Sequence, residues 1–496
     1  MSDLGNARSS ILALRKEAVS GTLIEPNNAN QFVPLRSGFS LSREVEELAN
    51  EELRSGIAEV RGAQGKETVS GELALYLRHS GVEGQVPMGG ILYESAFGSV
   101  VTNATEYDTA AGTNTTKITV ADGTNFYVGQ ALLIKDGSNG FSIRNIAEIS
   151  TDDLILNFPL NDSPANGTDL GKAVTFIPLS ENFPTFSAWN YVGNGHAKVA
   201  NSRNEALSIS MDFTANQFVN ATFSFEGTNY RFNPIEITAS SRFVDFNDGG
   251  VQAASVAVGF YNNPHELAAA LQTAMDAQST DEITVSYSNV TGKFTIATDG
   301  SALSLLWDSG TNAANTIGAK LGFDIAADDT GSLSYEADNA QDYASSITPA
   351  YDSADPLIAK DVEFYIGDAE NMMCRCATSA TIEVTKETED VDCICEETGT
   401  KGKIATQRQV NITAEIILDK HDVSLFKALR EQEELQVMLN VGEKSGGNYV
   451  AGKCVNFYVP NAGVTSFTTE GENFVVASVS VKGYFDTRGQ CFLNFV

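Results

Sequence analysis

The sequence predicts a mainly β protein of two tandem, related domains, each a sandwich or barrel-forming sheet, with smaller β and α+β insertions. Three observations lead to this prediction. Apolar and polar residues alternate over long stretches, two segments recur at constant offsets, and the residues between the recurring segments have patterns of their own.

The first recurring segment is Phe39–Leu77, which matches Ile382–Lys420 without a gap at an offset of 343 residues. Each copy has an alternating strand, an acidic stretch, a glycine and a second alternating strand, which is typical of a β-hairpin. The matched polar and glycine positions are Glu44 and Glu387, Glu46 and Glu389, Gly56 and Gly399, and Glu72 and Glu415.

The second recurring segment is Asn216–Gly227, which matches Glu472–Gly483 at an offset of 256 residues. Two collinear matches indicate a duplication, and the smaller second offset means that the first copy carries extra residues between its hairpins. We therefore predict an N-terminal arm (residues 1–35), a first domain (36–234) with a β insertion (about 102–178), an inserted α+β domain (235–347) and a second domain (348–496).

The insertions have their own secondary-structure signals. Short strand patterns occur at 117–120 and 131–134. A helix is expected after Asn263, which can cap it, with Pro264 in the first turn and apolar residues at 267, 271 and 275. A hairpin is expected at 283–287 and 293–298, and the second copy should carry a helix from Asp422 with Val423, Leu425, Phe426 and Leu429 facing a core.

Composition and charge exclude several classes of protein. The 496 residues are 42% hydrophobic, enough for several buried cores. Asp and Glu number 64 against 32 Lys and Arg, a net charge of −32 that argues against binding nucleic acid through its phosphates. No apolar stretch reaches the roughly 18–20 residues of a membrane helix, and residues 1–10 lack a signal-peptide pattern, so we expect no membrane partner and synthesis in a cytoplasm.

Several stretches resemble duplicated tail tube proteins of tailed bacteriophages. GKETVSGELALYL (65–77) and RKEAVSGTLIEP (15–26) are similar to the family's first copy, as are FPTFSAWNYVGNG (183–195) and LSISMDFTANQFVNATFSFEG (207–227). AKDVEFYIGD (359–368) is similar to the start of the second copy. GKFTIATDG (292–300) and NAANTIGAKLGF (312–323) resemble decorations found on phage tails.

The resemblance implies a structural subunit of the tail tube. It implies self-association into trimeric, pseudo-hexameric rings that stack around a lumen, through which genomic DNA passes during ejection without specific binding. It implies further partners in the tape measure and terminator proteins and, in a contractile tail, the sheath. The expected location is the virion tail, assembled in the host cytoplasm, and no cofactor is implied.

Signals of an enzyme are weak. His79, His196, His265 and His421 have no metal-binding spacing, and the glycines form no phosphate-binding loop. Glu44, Glu46, Glu387 and Glu389 could be paired catalytic carboxylates, but alternating charges on an exposed hairpin are more often a solvated face. We therefore expect no catalytic, metal or cofactor site.

The cysteines are the most specific chemical feature. Cys374 and Cys376 form one C-x-C pair, and Cys393 and Cys395 form another. Four thiolates could bind Zn²⁺, although structural sites usually have two to four intervening residues; a disulfide and ordinary free thiols are the alternatives. We predict that Cys393 or Cys395 lies at a subunit or ring contact. The two remaining cysteines, at 454 and 491, are expected in a core.

Two other functions fit parts of the sequence. Another tail structural part, such as a sheath or decoration protein, would lack paired hairpin domains around a ring. A carbohydrate-binding adhesin would need an aromatic platform, yet the chain has two tryptophans, Trp189 and Trp307.

Overall fold

The computed structural model describes residues 7–36, 39–52, 60–193, 195–300, 302–351, 354–368, 372–395, 399–418, 423–470 and 475–496. Its secondary structure is mainly β, which confirms the predicted fold class. The chain divides into two compact units. Unit 1 contains residues 1–12, 188–201 and 229–348, and unit 2 contains 13–187, 202–228 and 349–496. The assignment of residues 36–234 and 348–496 to two tube domains stays a prediction.

The N-terminal part of the chain contains the first long hairpin. Short 3₁₀ turns occur at Ala7–Ser9 and Ala29–Gln31. The regular elements are β1 (Ile11–Lys16), β2 (Phe32–Val33), β3 (Ser40–Asn50), β4 (Val60–Tyr76), α1 (Gly90–Phe97) and β5 (Gly98–Asn103). Strands β3 and β4 pair antiparallel, as the alternating pattern predicted.

The first insertion forms an antiparallel sheet within unit 2. Its strands are β6 (Tyr107–Asp108), β7 (Lys117–Thr119), β8 (Ala131–Asp136), β9 (Gly140–Ser150), β10 (Asp153–Leu156) and β11 (Asp169–Leu170), with a 3₁₀ turn at Gly123–Asn125. They are ordered β6-β11-β8-β9-β10-β7. The strands predicted at 117–120 and 131–134 are therefore confirmed. Ile118, Leu132 and Ile134 lie in one buried core, while Ala131 and Leu133 pack in another with Tyr449 and Cys454.

The first copy continues after this insertion. Its strands are β12 (Ala173–Pro178), β13 (Phe186–Val192), β14 (Ala197–Thr214) and β15 (Asn220–Phe232).

Unit 1 contains most of its regular elements between residues 235 and 336. These elements are β16 (Ile235–Ile237), β17 (Phe243–Asn247), β18 (Val251–Ser255), β19 (Gly259–Tyr261), α2 (Pro264–Asp276), β20 (Ile283–Tyr287), β21 (Phe294–Thr298), β22 (Ser304–Leu305), a 3₁₀ turn at Ala313–Asn315, α3 (Gly318–Leu321) and β23 (Ser334–Glu336). The Asn263 side chain accepts a hydrogen bond from the Glu266 backbone N–H at 3.0 Å, which confirms the predicted cap of α2. The predicted hairpin is confirmed by the pairing of β20 with β21.

The second copy occupies the C-terminal part of the chain. Its elements are β24 (Glu363–Gly367), β25 (Met372–Arg375), β26 (Ala377–Asp392), β27 (Thr400–Ile417), α4 (Ser424–Glu431), β28 (Leu435–Ser445), β29 (Asn448–Glu470), β30 (Val476–Gly483) and β31 (Phe492–Phe495). The expectation that Val423 and Phe426 face a core is wrong, because both side chains are more than half exposed while Leu425 is buried. Asp422 and His421 lie outside the described residues.

The two copies share one strand arrangement, but the first sequence offset is two residues too long. Glu72 pairs with Ser40 and Ser224. Thr413, not Glu415, holds the equivalent place, because it pairs with Thr381 and Ser480. The hairpin offset is therefore 341 residues, while the second offset of 256 is unchanged. β-bulges at equivalent points, between Val45 and Glu47 and between Glu387 and Thr388, support this alignment.

A second ladder of strands runs through unit 2. It contains β25, β24, β28, β29, β31, β12 and β5 in that order. The first copy's β12 therefore pairs with the C-terminal strand β31, so the two copies are interlocked. Strand β29 belongs to this ladder over its first part and pairs with β30 over its last part.

Candidate assembly site: the faces and edges of the long sheet

The hairpins of the two copies join into one eight-stranded sheet. Strand β14 of the first copy pairs antiparallel with β26 of the second, from Ser208 opposite Thr385 to Thr214 opposite Ser379. The order is β3-β4-β15-β14-β26-β27-β30-β29. Two sheets of four strands thus meet edge to edge within a single chain.

One face of this sheet is apolar and covered. Alternate residues of β4, such as Val69, Leu73 and Leu75, are buried, because successive strand residues point to opposite faces. Helix α1 lies on this side of the first copy, where the Tyr93 ring makes an edge contact with Phe223, 5.1 Å between centroids.

The other face is polar. Serine and threonine side chains run across neighbouring strands, as in Ser42 with Ser70 (2.9 Å between hydroxyl oxygens) and Ser208 with Ser224 (2.6 Å). The Thr381 hydroxyl donates to Asp212 at 2.9 Å across the junction of the copies. Such a face can remain in contact with water.

The charged side chains of the polar face are mostly acidic. The carboxylates are those of Glu44, Glu72, Asp212, Glu226, Glu383, Glu387 and Glu415, and Lys482 is a cation on the same face. This excess of carboxylates favours a surface of negative potential.

Lysines near the hairpin tips are neutralised by carboxylates. The Lys403 ammonium lies 2.6 Å from Glu226 and 2.8 Å from Asp390, and Lys66 contacts Asp390 as well. Burial acts to lower the pKa of Lys403, but its hydrogen bonds to the two carboxylates outweigh burial and raise that pKa. Lys403 therefore stays charged and bound.

The sheet ends in two edge strands. Strand β3 pairs with β4 on one side, and the last part of β29 pairs with β30 on one side. In the part of the chain that the structure describes, no strand pairs with the outer side of either segment. An exposed apolar side chain lies near each edge. Leu48 lies on β3, and Phe426 of α4 contacts Phe467 of β29. Such edges are normally templates for pairing with another chain.

A buried ion pair lies where the two copies join. Lys386 of β26 is 3% exposed and donates to a Glu205 carboxylate oxygen and to the Ser95 carbonyl at 3.3 Å. Its ammonium lies 3.7 Å from the centroid of the Phe183 ring. Sequence reasoning missed this residue, although Lys386 continues the apolar phase of Ile382 and Val384 and could have been found by that break in the pattern.

The cysteine pairs lie at opposite ends of β26. Cys374 and Cys376 are exposed before the strand, and Cys395 is exposed after it, with Cys393 half-buried. Sixteen strand residues separate the pairs, about 50 Å at 3.3 Å per residue. Four thiolates of one chain therefore cannot share a Zn²⁺ ion, and a disulfide between the pairs of one chain is excluded because it requires Cα atoms within about 7 Å.

The other cysteines and the histidines have structural surroundings. Cys454 and Cys491 are fully buried, which confirms their prediction as core residues, and burial raises the pKa of both thiols to about 12. His79 is buried, and burial lowers its pKa. His196 contacts the Gly193 carbonyl and His265 contacts the Asn289 side chain.

The carboxylates considered for catalysis are spread along two different hairpins. Glu44 and Glu46 lie on β3, and Glu387 and Glu389 lie on β26, where Glu387 accepts a hydrogen bond from Gln409 at 2.6 Å. Among the described residues, no three His, Cys, Asp or Glu side chains are placed to hold a metal ion. None of the described helices is long and apolar enough to cross a membrane.

The tryptophans do not form an exposed platform. Trp189 and Trp307 are both buried, and the Trp307 indole donates to Asp329 at 2.9 Å. This observation gives no support to sugar binding through exposed tryptophan rings.

Comparisons with known proteins give one family. The family model described as phage tail tube protein matches residues 7–258. No curated protein matches the sequence. Among solved structures, one similar chain belongs to a type six secretion system protein; it is 12% identical, with a TM-score of 0.17, over 26% of this chain and 88% of that chain.

Proposed function

Because the chain belongs to the phage tail tube protein family, we propose that three copies close a pseudo-hexameric ring, and that stacked rings enclose a lumen for DNA during ejection. The chain is a structural component of the virion tail that assembles into tubes with other tail proteins. The eight-stranded sheet with two unpaired edges is the observation that carries the proposal. In this proposal, residues 36–234 and 348–496 are the tube domains, residues 1–35 an arm, and the stretches 102–178 and 235–347 insertions. Assembly takes place in the host cytoplasm, with the tape measure and terminator proteins as partners.

The junction inside the chain is the template for the junction between chains. Strand β29 is the second copy's equivalent of β14, and β3 is the first copy's equivalent of β26. Because Ser208 contacts Ser224 while Ser466 pairs with Ser480, β29 follows β14 by 258 residues. Transferring the β14–β26 register with the offsets 258 and 341 places Thr468 opposite Ser42 of the next chain, as Ser210 lies opposite Glu383. Pairing removes both exposed edges and closes a barrel.

The size of such a barrel fits a DNA duplex. Three chains of eight strands supply about 24 strands, and a spacing of about 4.8 Å with a tilt of about 40° gives a backbone diameter of about 48 Å. Side chains on the inner face still leave a channel wide enough for a duplex.

The polar face suits the wall of this channel. Among the described residues of this face the carboxylates outnumber the cations, so DNA would pass without counterion release holding it to the wall. The apolar face would lie outside, under α1 and α4.

The proposed register predicts a specific cross-link. In a chain carrying Ser42→Cys and Thr468→Cys, mild oxidation of assembled tubes should give covalent dimers and trimers on a non-reducing gel. Both side chains point to the polar face, and opposite residues of an antiparallel pair lie within the distance that a disulfide needs. Each single variant controls for bonds to the native cysteines.

A register-shifted variant completes this test. Ser42→Cys combined with Phe467→Cys places the two thiols on opposite faces of the sheet and should give no such ladder. Equal cross-linking of both pairs, or wild-type chains that form no rings in negative-stain electron micrographs, would contradict the proposed function.

We also propose that Cys393 or Cys395 lies at a subunit or ring contact. The pair lies at the tip of the β26–β27 hairpin, and the equivalent sequence positions of the first copy carry no cysteine, so the shared fold does not require these thiols. The pair at 374 and 376 lies at the other end of the same strand, where a stacked ring could bring it close.

Comparison of reduced and oxidised tubes tests this contact. Cys393→Ser and Cys395→Ser variants should form less stable tubes, because a buried contact loses part of its packing. They should also lose any reductant-sensitive band on a gel. Unchanged tube stability together with full reactivity of both thiols towards a maleimide in assembled tubes would show that these cysteines make no contact.

A further inference from the structure

We propose that an ion pair between Lys482 of one chain and Glu47 of the next specifies the chain-to-chain junction, with the charges exchanged relative to the junction inside the chain. The inference rests on the proposed ring. The partner of the β3 edge is a second copy of this chain.

The junction inside the chain has a defined bridge. The Lys403 ammonium of β27 reaches Glu226 of β15 at 2.6 Å, and its cross-strand neighbour Asp390 binds it at 2.8 Å. Strand β15 belongs to the first copy and β27 to the second, so this bridge ties the two copies together beside the β14–β26 pairing.

At the junction between chains, the position equivalent to Glu226 of β15 carries the opposite charge. The offset of 256 places Lys482 of β30 where Glu226 lies on β15. Both side chains are on the polar face: Glu226 pairs with Ser70, and Lys482 pairs with Asn411, the residue equivalent to Ser70. A carboxylate on the first copy of the next chain would therefore meet the Lys482 ammonium on the second copy of this chain.

The β4 side carries the complementary change. The offset of 341 places Gly62 where Lys403 lies on β27. Because Gly62 has no side chain, the Glu47 carboxylate of neighbouring β3 occupies that space, with one oxygen 2.8 Å from the point where a Cβ on Gly62 would stand. The equivalent of Glu47 in the second copy is Thr388, which carries no charge.

The charges of the β30 surface and of the β3–β4 surface are complementary, and they are the reverse of the charges at the junction inside the chain. An exposed glutamate lies on the β3–β4 hairpin where the internal junction has a lysine, and a lysine lies on β30 where the internal junction has a glutamate. Oppositely charged groups steer association and fix register, while like charges placed face to face oppose it. A chain shifted along the edge would lose this match.

Charge reversal tests the inference. Lys482→Glu and Glu47→Lys should each reduce the assembled fraction about ten-fold or more, since each places like charges together. The double variant should recover assembly to within about three-fold of the original chain. Assembly is measured by sedimentation and by negative-stain electron microscopy, and circular dichroism of the unassembled chains checks their fold.

Matched variants make the result decisive. Lys320→Glu makes the same change in net charge in unit 1 and should assemble normally, while the neutral Lys482→Gln and Glu47→Gln variants should show an intermediate loss that grows smaller at high salt. Normal assembly of both reversals, or a folded double variant no more competent than the singles, would overturn the ion pair and leave the ring proposal intact. Failure of the original chain to form rings would instead overturn the ring and this inference with it.

Discussion

Replacing Lys386 with methionine is expected to lower the free energy of unfolding of unit 2 by about 3–5 kcal/mol, because it leaves a buried carboxylate without its cation. Glu205 is 9% exposed and contacts the ammonium of Lys386, a residue that is 3% exposed. Burial lowers the pKa of Lys386 to about 8, against the opposing effect of Glu205, so the cost of dehydration is large at this site.

The double variant Lys386→Met with Glu205→Met separates charge from packing. If the loss comes from the unpaired carboxylate, removing both charges should restore most of the stability. Urea unfolding of the unassembled chain, followed by circular dichroism, gives both values. Lys427→Met removes an exposed lysine of α4 and should change nothing measurable. Equal loss in the single and double variants would show that packing of the lysine stem, not its charge, is what matters.

The pH dependence of stability gives an independent check. The pKa of Lys386 in the folded chain, about 8, lies below the ordinary lysine value of 10.5 that holds in the unfolded chain. Between these values the unfolded chain holds more protons at this group than the folded chain, so its contribution to stability rises with pH from about 8 to about 10.5. The Lys386→Met chain should lack this rise.

The repeat shows how far sequence reasoning reaches and where it stops. Alternation identified both hairpins, and the second offset of 256 agrees with the strand ladders. The first predicted offset is two residues too long, because a shift of two residues along a strand keeps every side chain on its own face. Glu415 therefore matches Glu72 in the alternation of the sequence, while Thr413 holds the equivalent position in the sheet. Strand period alone cannot detect an even slip, whereas the bulge positions do.

Contacts between distant parts of the chain could not be predicted in this way. Nothing in the local pattern indicates that β12 pairs with β31, or that β14 pairs with β26. These pairings depend on which edges meet after the hairpins have formed. The exposed Phe426 was assigned to a core for a related reason: an apolar helix face looks the same in sequence whether its partner is the same chain or the next one.

A buried network of asparagine side chains anchors the first insertion to the second copy. Asn456 of β29 exchanges hydrogen bonds with Asn145 of β9 at 2.8 and 2.9 Å. It also donates to Asn440 at 2.8 Å and accepts from Asn494 at 2.9 Å. All four residues are fully buried, so these amides have exchanged their contacts with water for contacts with one another.

Replacing Asn456 with leucine is expected to cost at least about 3 kcal/mol, since each buried amide atom left without a partner costs about 1–3 kcal/mol. The Asn145 and Asn440 side-chain oxygens would each lose a donor, and no polar group of leucine could replace it. Hydrogen exchange of the β9 amides should accelerate, because this strand would lose its anchor on β29. Asn411→Leu, half-exposed on the polar face of β27, is the matched control and should leave β9 unchanged. Slow exchange in β9 of a folded Asn456→Leu chain would show that apolar packing alone holds the insertion in place.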